Sequence, residues 1–520
     1  MLSLIKTPPR IPELIFAAVL FWLFASGQGW SVLLADGDTG WHIRNGEHII
    51  DTRTVPHEDA FSFGSAGRAW FAWEWLSDVL FAAVFRAGGL RAVAVLSGIV
   101  IAASVYVLFK HLIWRSVGVC VALPLTFIAV GASSIHYLAR PHVFGLLLFA
   151  VTTWILDYGR EHCNGLIWTL PPLFLFWANL HGSFLAGLAM LAVWAGEQLI
   201  CSLKAGAASR ACIQRPALIF GLACAATFCN PYGWQLHAHA LQYLTSDWIK
   251  SAVEEFQSPR FRSENMMYYE ILLIAGLSSL SWLIRRREFY PACAIVLWAH
   301  ESLSSVRHVP LYCLACVPFI GSWTQHLWDR ARRQSRPGSL FSAFNSINLD
   351  WKPWMSGFTV WPIILGTAAV VTSGTGTASN FPQNKFPVAL IERNPWMFHV
   401  TTGRPQRVFS SDQWSDYLIF RCYPAVRIFF DGRSDFFGPW RGQAYERLMT
   451  GNAGAAGILT RENVDVALLP KDWPLTSLLG ADANWLMVDS DEQAILYRRT
   501  TSKSTLALMK SPVRADRSLE

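Results

Sequence analysis

The chain has 520 residues, 52% of them hydrophobic and 15% charged, with 25 Trp among them. Soluble domains carry about 25% charged residues, so this composition excludes an ordinary soluble enzyme and predicts a chain that crosses a membrane many times. The net charge of +7 sits in short clusters between apolar runs, which excludes nucleic acid as a partner.

A spanning helix needs about 20 mostly apolar residues. Long enough runs fall near 12–34, 88–110, 117–135, 141–158, 182–201, 268–284, 308–327 and 356–373. Shorter ones lie near 166–178, 215–229 and 290–304, giving about eleven spans. The first run is too long for a cleavable signal peptide and lacks a small-residue cleavage site. With Lys6 and Arg10 placed in the cytoplasm, alternating spans put Lys110, Arg115, Arg160, Lys204, Arg210 and Arg215 inside. The Arg285-Arg286-Arg287 triplet and the cluster of Arg330, Arg332, Arg333 and Arg336 fall on the same side. That is the positive-inside pattern, and an odd span count leaves the C-terminal region outside. Cys313 and Cys316 form a C-x-x-C inside an apolar run, where packing is the expected role.

The loops on the outer face are of another kind. The first, over 35–77, opens with Asp36, Asp38, Trp41, His42, Arg44 and Glu47 directly after the first span. Asp36 and Asp38 are spaced i, i+2. Such a pair can bind a divalent cation, Mg or Mn, or supply a general base. Asp38 has a competing role as N-cap of a short helix over 39–50, with Asp36 as a turn residue. Glu74 lies between Trp73 and Trp75, suited to acid–base work or to anchoring substrate, or simply an acid before an interfacial helix over 76–85. Arg140 and His142 flank Pro141 at the outer end of a span, and Arg307 and His308 repeat the pattern. A bound phosphate explains an outward Arg of this kind; snorkelling to lipid headgroups is the alternative. Asn179-Leu180-His181-Gly182 and Asn230-Pro231-Tyr232-Gly233 read as tight outer turns, a reading that leaves His181 and Tyr232 unexplained. Residues 328–355 read as a cytoplasmic linker and 372–377 as a flexible exit. The region over 374–520 predicts a small α/β domain, with strands near 426–430, 464–469 and 493–497 and helices near 444–450 and 475–479. Walker A, G-x-S-x-G, H-E-x-x-H and zinc-ligand spacings do not occur in the sequence, so nucleotide hydrolysis and zinc proteolysis have no support.

These motifs resemble the GT-C class of integral-membrane glycosyltransferases, in particular a bacterial branch of that class. The matching runs are Asp36-Gly37-Asp38 with Trp41-His42-Ile43-Arg44-Asn45-Gly46-Glu47, Asp59-Ala60-Phe61-Ser62-Phe63, and Trp73-Glu74-Trp75-Leu76-Ser77. Arg140-Pro141-His142, Asn179 to Ser183, Asn230 to Gly233 and Asp431-Gly432-Arg433 also resemble family positions. Gly37, Gly40 and Ala60 depart from the branch, which often has Pro, Trp and Pro there; the two glycines are expected to soften the loop. The resemblance implies a polytopic α-helical GT-C-like domain over 1–373, with the acidic loop over 35–77, and an extracytoplasmic α/β domain over 374–520. It implies sugar transfer, with inversion, from a polyprenyl-phosphate carrier to a glycan, lipid or protein acceptor outside a bacterial cytoplasmic membrane. Asp36 or Asp38 would be the catalytic base, with a divalent cation held there if the reaction uses one. Trp41, His42, Arg44, Glu74, Arg140, His142, Asn179, His181, Tyr232, Arg307 and His308 would bind substrate. Asp412-Gln413-Trp414 and Asp431-Gly432-Arg433 would gate the site or present the acceptor. A lipid-linked-glycan transporter or ligase and a non-catalytic membrane scaffold are the alternatives.

Overall fold

The computed structural model describes residues 8–500 apart from 26–28, 163–164, 205–209, 337, 374–379, 401–402 and 453. It divides into two compact units. The first comprises Met1–Ala35, Asn45–Val55 and Phe71–Ser379; the second comprises Asp36–Arg44, Pro56–Trp70 and Asn380–Glu520.

In the first unit the predicted spans fall on helices, because uninterrupted apolar runs satisfy their backbone groups locally; the first, 12–34, falls on two, Ile11–Ala25 and Gly29–Leu33, with 26–28 outside the described residues. Among the described residues five helices are long and apolar enough to cross a membrane: Trp75–Trp114, Val119–His136, His142–Glu161, Phe184–Leu203 and Met266–Arg285. The first of these breaks at Gly88 and Gly89, where Gly89 takes φ +67°. That break separates the predicted interfacial segment from the span that follows. Helix Val309–Gln334 is buried on all sides from Val309 to Gly321, as expected of a central helix. Cys313 and Cys316 lie on it as buried free thiols.

Two readings need correction. The segment 328–355 is not a linker: helix Val309–Gln334 runs into it, and Leu340–Met355 forms a further helix. That helix is held by Asn348, whose Oδ1 accepts the Cys120 backbone N–H at 3.0 Å. Its apolar residues are spaced for one helical face, a pattern the Ser and Pro content obscured. Of the predicted exit, Thr372 and Ser373 end helix Trp361–Ser373, and 374–377 lie outside the described residues, as does Lys6.

The basic residues at one set of helix ends are also more than solvated loop charges. Asp157 is fully buried and takes His111 Nε2 at 2.8 Å, Arg115 Nη1 at 2.7 Å and Arg160 Nη1 at 3.0 Å. Arg160 continues to Glu197 at 2.6 Å and Glu288 at 2.8 Å. Four helices are thereby tied together near their ends, each charge compensated by a partner, as burial in an apolar medium demands.

The second unit is built on a five-stranded sheet in the order β2-β1-β3-β5-β4, with β1 Gln406–Ser410, β2 Val426–Ile428, β3 Val466–Pro470, β4 Trp485–Ser490 and β5 Ala494–Arg499. β2, β1 and β3 are parallel, and β5 and β4 are antiparallel additions. The parallel strands are short and apolar, as buried strands must be. The first outer loop adds to the same sheet. Phe63 N–H donates to Ile428 O at 3.2 Å, and Ile428 N–H donates to Phe61 O at 3.1 Å. Residues 61–63 thus cover the open edge of β2, which would otherwise present unpaired backbone groups. The predicted strands and helices of this unit are present; β1, β4 and the helices Asp412–Cys422 and Ala455–Arg461 were not foreseen.

Candidate active site

In the second unit the acidic loop meets the carboxyl ends of β1 and β2, where open α/β sheets place their ligands. After β1, Ser411 caps helix Asp412–Cys422, its hydroxyl accepting the Trp414 N–H at 3.3 Å. That turn delivers Asp412 and Asp416. After β2 the chain delivers Asp431, Gly432 and Arg433. The acidic loop begins the helix Asp38–Thr52, and Asp36 Oδ1 accepts the Asp38 N–H at 2.9 Å. Asp36 thus closes the turn that starts the helix. Asp38 is the first helical residue, where the helix dipole favours its charge.

Gly37 and Gly40 do not soften this loop; they let it close. A Cβ on Gly37 would run into the Gln413 carbonyl and lie 2.9 Å from Asp416 Cβ. One on Gly40 would lie 2.8 Å from Phe420 Cβ. Gln413 Oε1 accepts the Gly37 N–H at 2.8 Å. Arg44 donates to Phe420 O at 2.6 Å and lies over the Phe420 ring.

The result is a cluster of buried carboxyls. Asp38 and Asp416 converge on the α-carbon of Gly432, where neither leaves room for a Cβ. Gly432 N–H donates to both Asp416 oxygens at 3.2 Å. Asp38 Oδ1 also accepts the Trp41 indole N–H at 3.3 Å, and Trp41 stacks on His42 at 3.6 Å. Burial pushes Asp416 well above the usual carboxylate range, and the neighbouring charges of Asp38, Asp431 and Asp412 push it the same way. Asp412 is raised as well, by burial first and against its hydrogen bonds to the backbone and to Tyr445, with Asp36 adding to the rise. Like charges this close disfavour one another, which is why Asp38 adds to the rise of Asp416.

Beside the carboxyls lies Arg433, fully buried. It binds Asp431 through Nε and Nη2 at 2.9 and 2.6 Å and Asp59 through Nη1 at 2.9 Å. The Trp70 and Phe61 rings lie 4.7 and 5.1 Å from its guanidinium carbon. Burial alone would raise Asp59, but Arg433, together with the bonds from Ser62 and Phe61, holds it below the usual carboxylate range. Asp431-Gly432-Arg433 is accordingly a structural junction of the unit.

The neutrality of Asp416 has a measurable consequence. An acid with a raised native pKa contributes stability that is present below its unfolded pKa, near 3.8, and lost as pH rises toward its native pKa. Asn mimics the neutral form, so Asp416→Asn removes that loss. The melting temperature of Asp416→Asn minus that of the wild-type protein should rise from pH 5 to pH 8. The limiting slope is about 1.4 kcal/mol per pH unit for one proton. A difference that stays flat or falls with pH sinks the assignment.

In the first unit a second polar group forms at the helix ends that carry Glu74, His142 and His181. Glu74 Oε1 lies 3.3 Å from His181 Nε2, and His181 Nδ1 meets Ser183 Oγ at 2.8 Å. Trp75 donates its indole N–H to Asn179 Oδ1 at 2.7 Å, and Tyr232 OH accepts the Ala72 N–H at 2.8 Å. Asn179 and Tyr232 thus fix the segment that carries Glu74. The His142 ring lies 6.4 Å from that of His181 and 5.6 Å from that of His136, and its Nε2 donates to His136 O at 2.6 Å. Arg140 pairs with Glu255 at 2.7 Å. Arg307 lies over Phe256 at 4.5 Å, and His308 lies 3.5 Å from Glu301.

No family model and no curated protein matches the chain. Solved structures do. The archaeal oligosaccharyltransferase AglB from Archaeoglobus fulgidus, in complex with an inhibitory peptide and a dolichol-phosphate, superposes with TM-score 0.59 at 10% identity, over 97% of this chain and 74% of that one. The Archaeoglobus fulgidus oligosaccharyltransferase tethered to an acceptor peptide gives TM-score 0.56 at 13% identity, over 88% and 68%. ArnT from Cupriavidus metallidurans, bound to undecaprenyl phosphate, gives 0.50 at 12% identity, over 94% and 98%. The fold is that of the GT-C transferases.

Within this GT-C fold the residues singled out from sequence fall into two sets. Asp36, Asp38, Trp41, His42 and Arg44 belong to the second unit; Glu74, Arg140, His142, Asn179, His181, Tyr232, Arg307 and His308 belong to the first. Asp416, Asp59, His136 and Glu255 went unrecognised as members of either polar group. Asp416 follows the noted Asp412-Gln413-Trp414 by two residues, and its i, i+4 spacing from Asp412 was the available signal. Among the described residues no three His, Cys, Asp or Glu side chains form a set of metal ligands.

Proposed function

We propose that the protein is a glycosyltransferase that moves a sugar from a polyprenyl-phosphate carrier to an acceptor hydroxyl on the outer face of a bacterial cytoplasmic membrane. Asp38 is the general base. What carries this reading is the place of Asp38 on the first turn of its helix, where Asp36 accepts its N–H, beside an Asp416 carboxyl that burial pushes well above the usual range. The GT-C fold supports the reaction class.

The acceptor oxygen attacks the anomeric carbon, and Asp38 takes the hydroxyl proton as the new C–O bond forms. The bond from that carbon to the carrier oxygen breaks, its electron pair leaves with the carrier phosphate, and configuration inverts. Arg140 and Arg307 hold the phosphate and stabilise the charge it gains, with His142 and His308 lining the same group. Glu74 and His181 line the sugar site, positioned by Asn179 and Tyr232. Trp41 and His42 hold the base in place. If the reaction uses a divalent cation, Mg or Mn, Asp36 and Asp38 are the carboxylates that would hold it. Such an ion would supply charge neutralisation.

With about eleven spans and the N-terminus inside, the acidic loop and the C-terminal unit would lie outside, a reading supported by the positive-inside pattern of the sequence. A transporter calls for ionisable groups near the middle of its spans, whereas the buried ion pairs here lie near helix ends. The test is a deletion strain. Its lipid extract should accumulate one polyprenyl-phosphate-linked sugar by mass spectrometry while an envelope glycan loses that sugar, and plasmid-borne protein should reverse both. In the same cells, cysteines placed at Arg53 and Arg286 of a cysteine-free variant should react with an impermeant reagent from opposite sides. Unchanged lipid-linked sugars and glycans would overturn the function, and same-side labelling the orientation.

A further inference from the structure

The outward cations Arg140 and Arg307, with His136 and His142, surround an anion that belongs to the chain itself. Glu255 sits on the short turn Glu254–Phe256. Its carboxylate binds Arg140 at 2.7 Å and interacts electrostatically with His136, Arg307 and His142. Burial would raise this carboxyl, yet Arg140 first, then the other three, hold it well below the usual carboxylate range. The turn is fastened to the segment that carries Arg307. Ser305 Oγ donates to the Glu255 carbonyl at 2.8 Å, and Val306 N–H donates to Gln257 O at 2.9 Å. Both bonds use backbone groups of the turn, so the Glu255 side chain can leave without unfastening it. The side chain keeps 28% of its surface exposed, which gives it a path outward.

We propose that Glu255 is the resident counter-ion of the phosphate site: its carboxylate occupies the anion position in the resting protein, and the carrier phosphate displaces it on binding. The inference rests on the proposed role of Arg140 and its neighbours as phosphate ligands. Those cations cluster without incurring like-charge repulsion in the empty state, because the carboxylate holds them together. The sugar-bearing carrier, a phosphodiester of single charge, exchanges for one carboxylate, and the spent carrier, a monoester with more charge and three acceptor oxygens, competes with Glu255 more strongly. Glu255 therefore sets how tightly carrier is held and how readily spent carrier leaves.

The experiment measures binding of undecaprenyl phosphate, and of the uncharged undecaprenol, to the full-length protein in nanodiscs. Glu255→Gln should bind the phosphate about tenfold more tightly than wild type, with no change for the alcohol. Glu255→Asp, which keeps the charge on a shorter stem, should fall between them. Arg140→Gln should weaken phosphate binding in either background. If Arg140→Gln weakens binding but Glu255→Gln leaves it unchanged or weaker, displacement is overturned and the phosphate site stands. If Arg140→Gln has no effect, the phosphate binds elsewhere and both ideas fall. Melting temperatures of all variants identify any loss of fold, and Glu255→Asp carries the test if Glu255→Gln does not fold.

Discussion

If Asp38 is the base of the proposed sugar transfer, replacing it by Asn should lower the rate by roughly 10²- to 10⁴-fold, while Asp36→Asn should keep activity within about tenfold of wild type. The asymmetry follows from the turn itself. Asp36 accepts the N–H of Asp38, and Asn closes such a turn as Asp does. Asp38 keeps its bond from the Trp41 indole as Asn, since the amide oxygen also accepts, but it loses the capacity to take a proton. Asp36→Ala should by contrast lose about 1 kcal/mol of stability through the missing hydrogen bond of the turn. The measurement is initial transfer rate on membranes with equal protein content, with melting temperatures alongside. Full activity in Asp38→Asn, or equal and large losses in both Asn variants, would remove Asp38 as base.

Arg433→Met should cost about 3–5 kcal/mol and lower the melting temperature by roughly 10 °C or more. The loss does not come from a missing attraction alone. It comes from Asp59 and Asp431, both buried, left without a cation in a site lined by Trp70 and Phe61. Arg433→Lys should recover little, because an ammonium cannot offer Nε and Nη2 to Asp431 while reaching Asp59 with Nη1. Scanning fluorimetry on the purified protein checks both variants. A melting temperature within about 2 °C of wild type for Arg433→Met would show that the ion cluster is not what holds this region.

The helical spans were readable because each is specified by its own residues: twenty apolar side chains in a row admit few other structures. The acidic loop was also readable, since two carboxylates, a histidine and an arginine after a span are costly there without a use. What the sequence concealed depends on pairing across long separations. Strand β1 is five residues with no alternation of its own, and it is a strand because β2 and β3 flank it. Residues 61–63 read as a motif, but their backbone pairing with Ile428 has no local signature. The turn that Asp36 closes ahead of Asp38 rests on one hydrogen bond, and spacing alone does not reveal it. Glu255 looked like one acid among several in a polar loop. Its meaning comes from Arg140, 115 residues earlier.

The second unit is completed late in synthesis. Gly37 docks against Gln413, and Arg44 against Phe420, each pair 376 residues apart. Asp38 therefore has only its neighbours Asp36 and Trp41 beside it when it is made. The Asp416 carboxyl and Gly432 join it only after Gln413, 376 residues beyond Gly37, has been translated. A break in translation before that point leaves the acidic loop without its cluster.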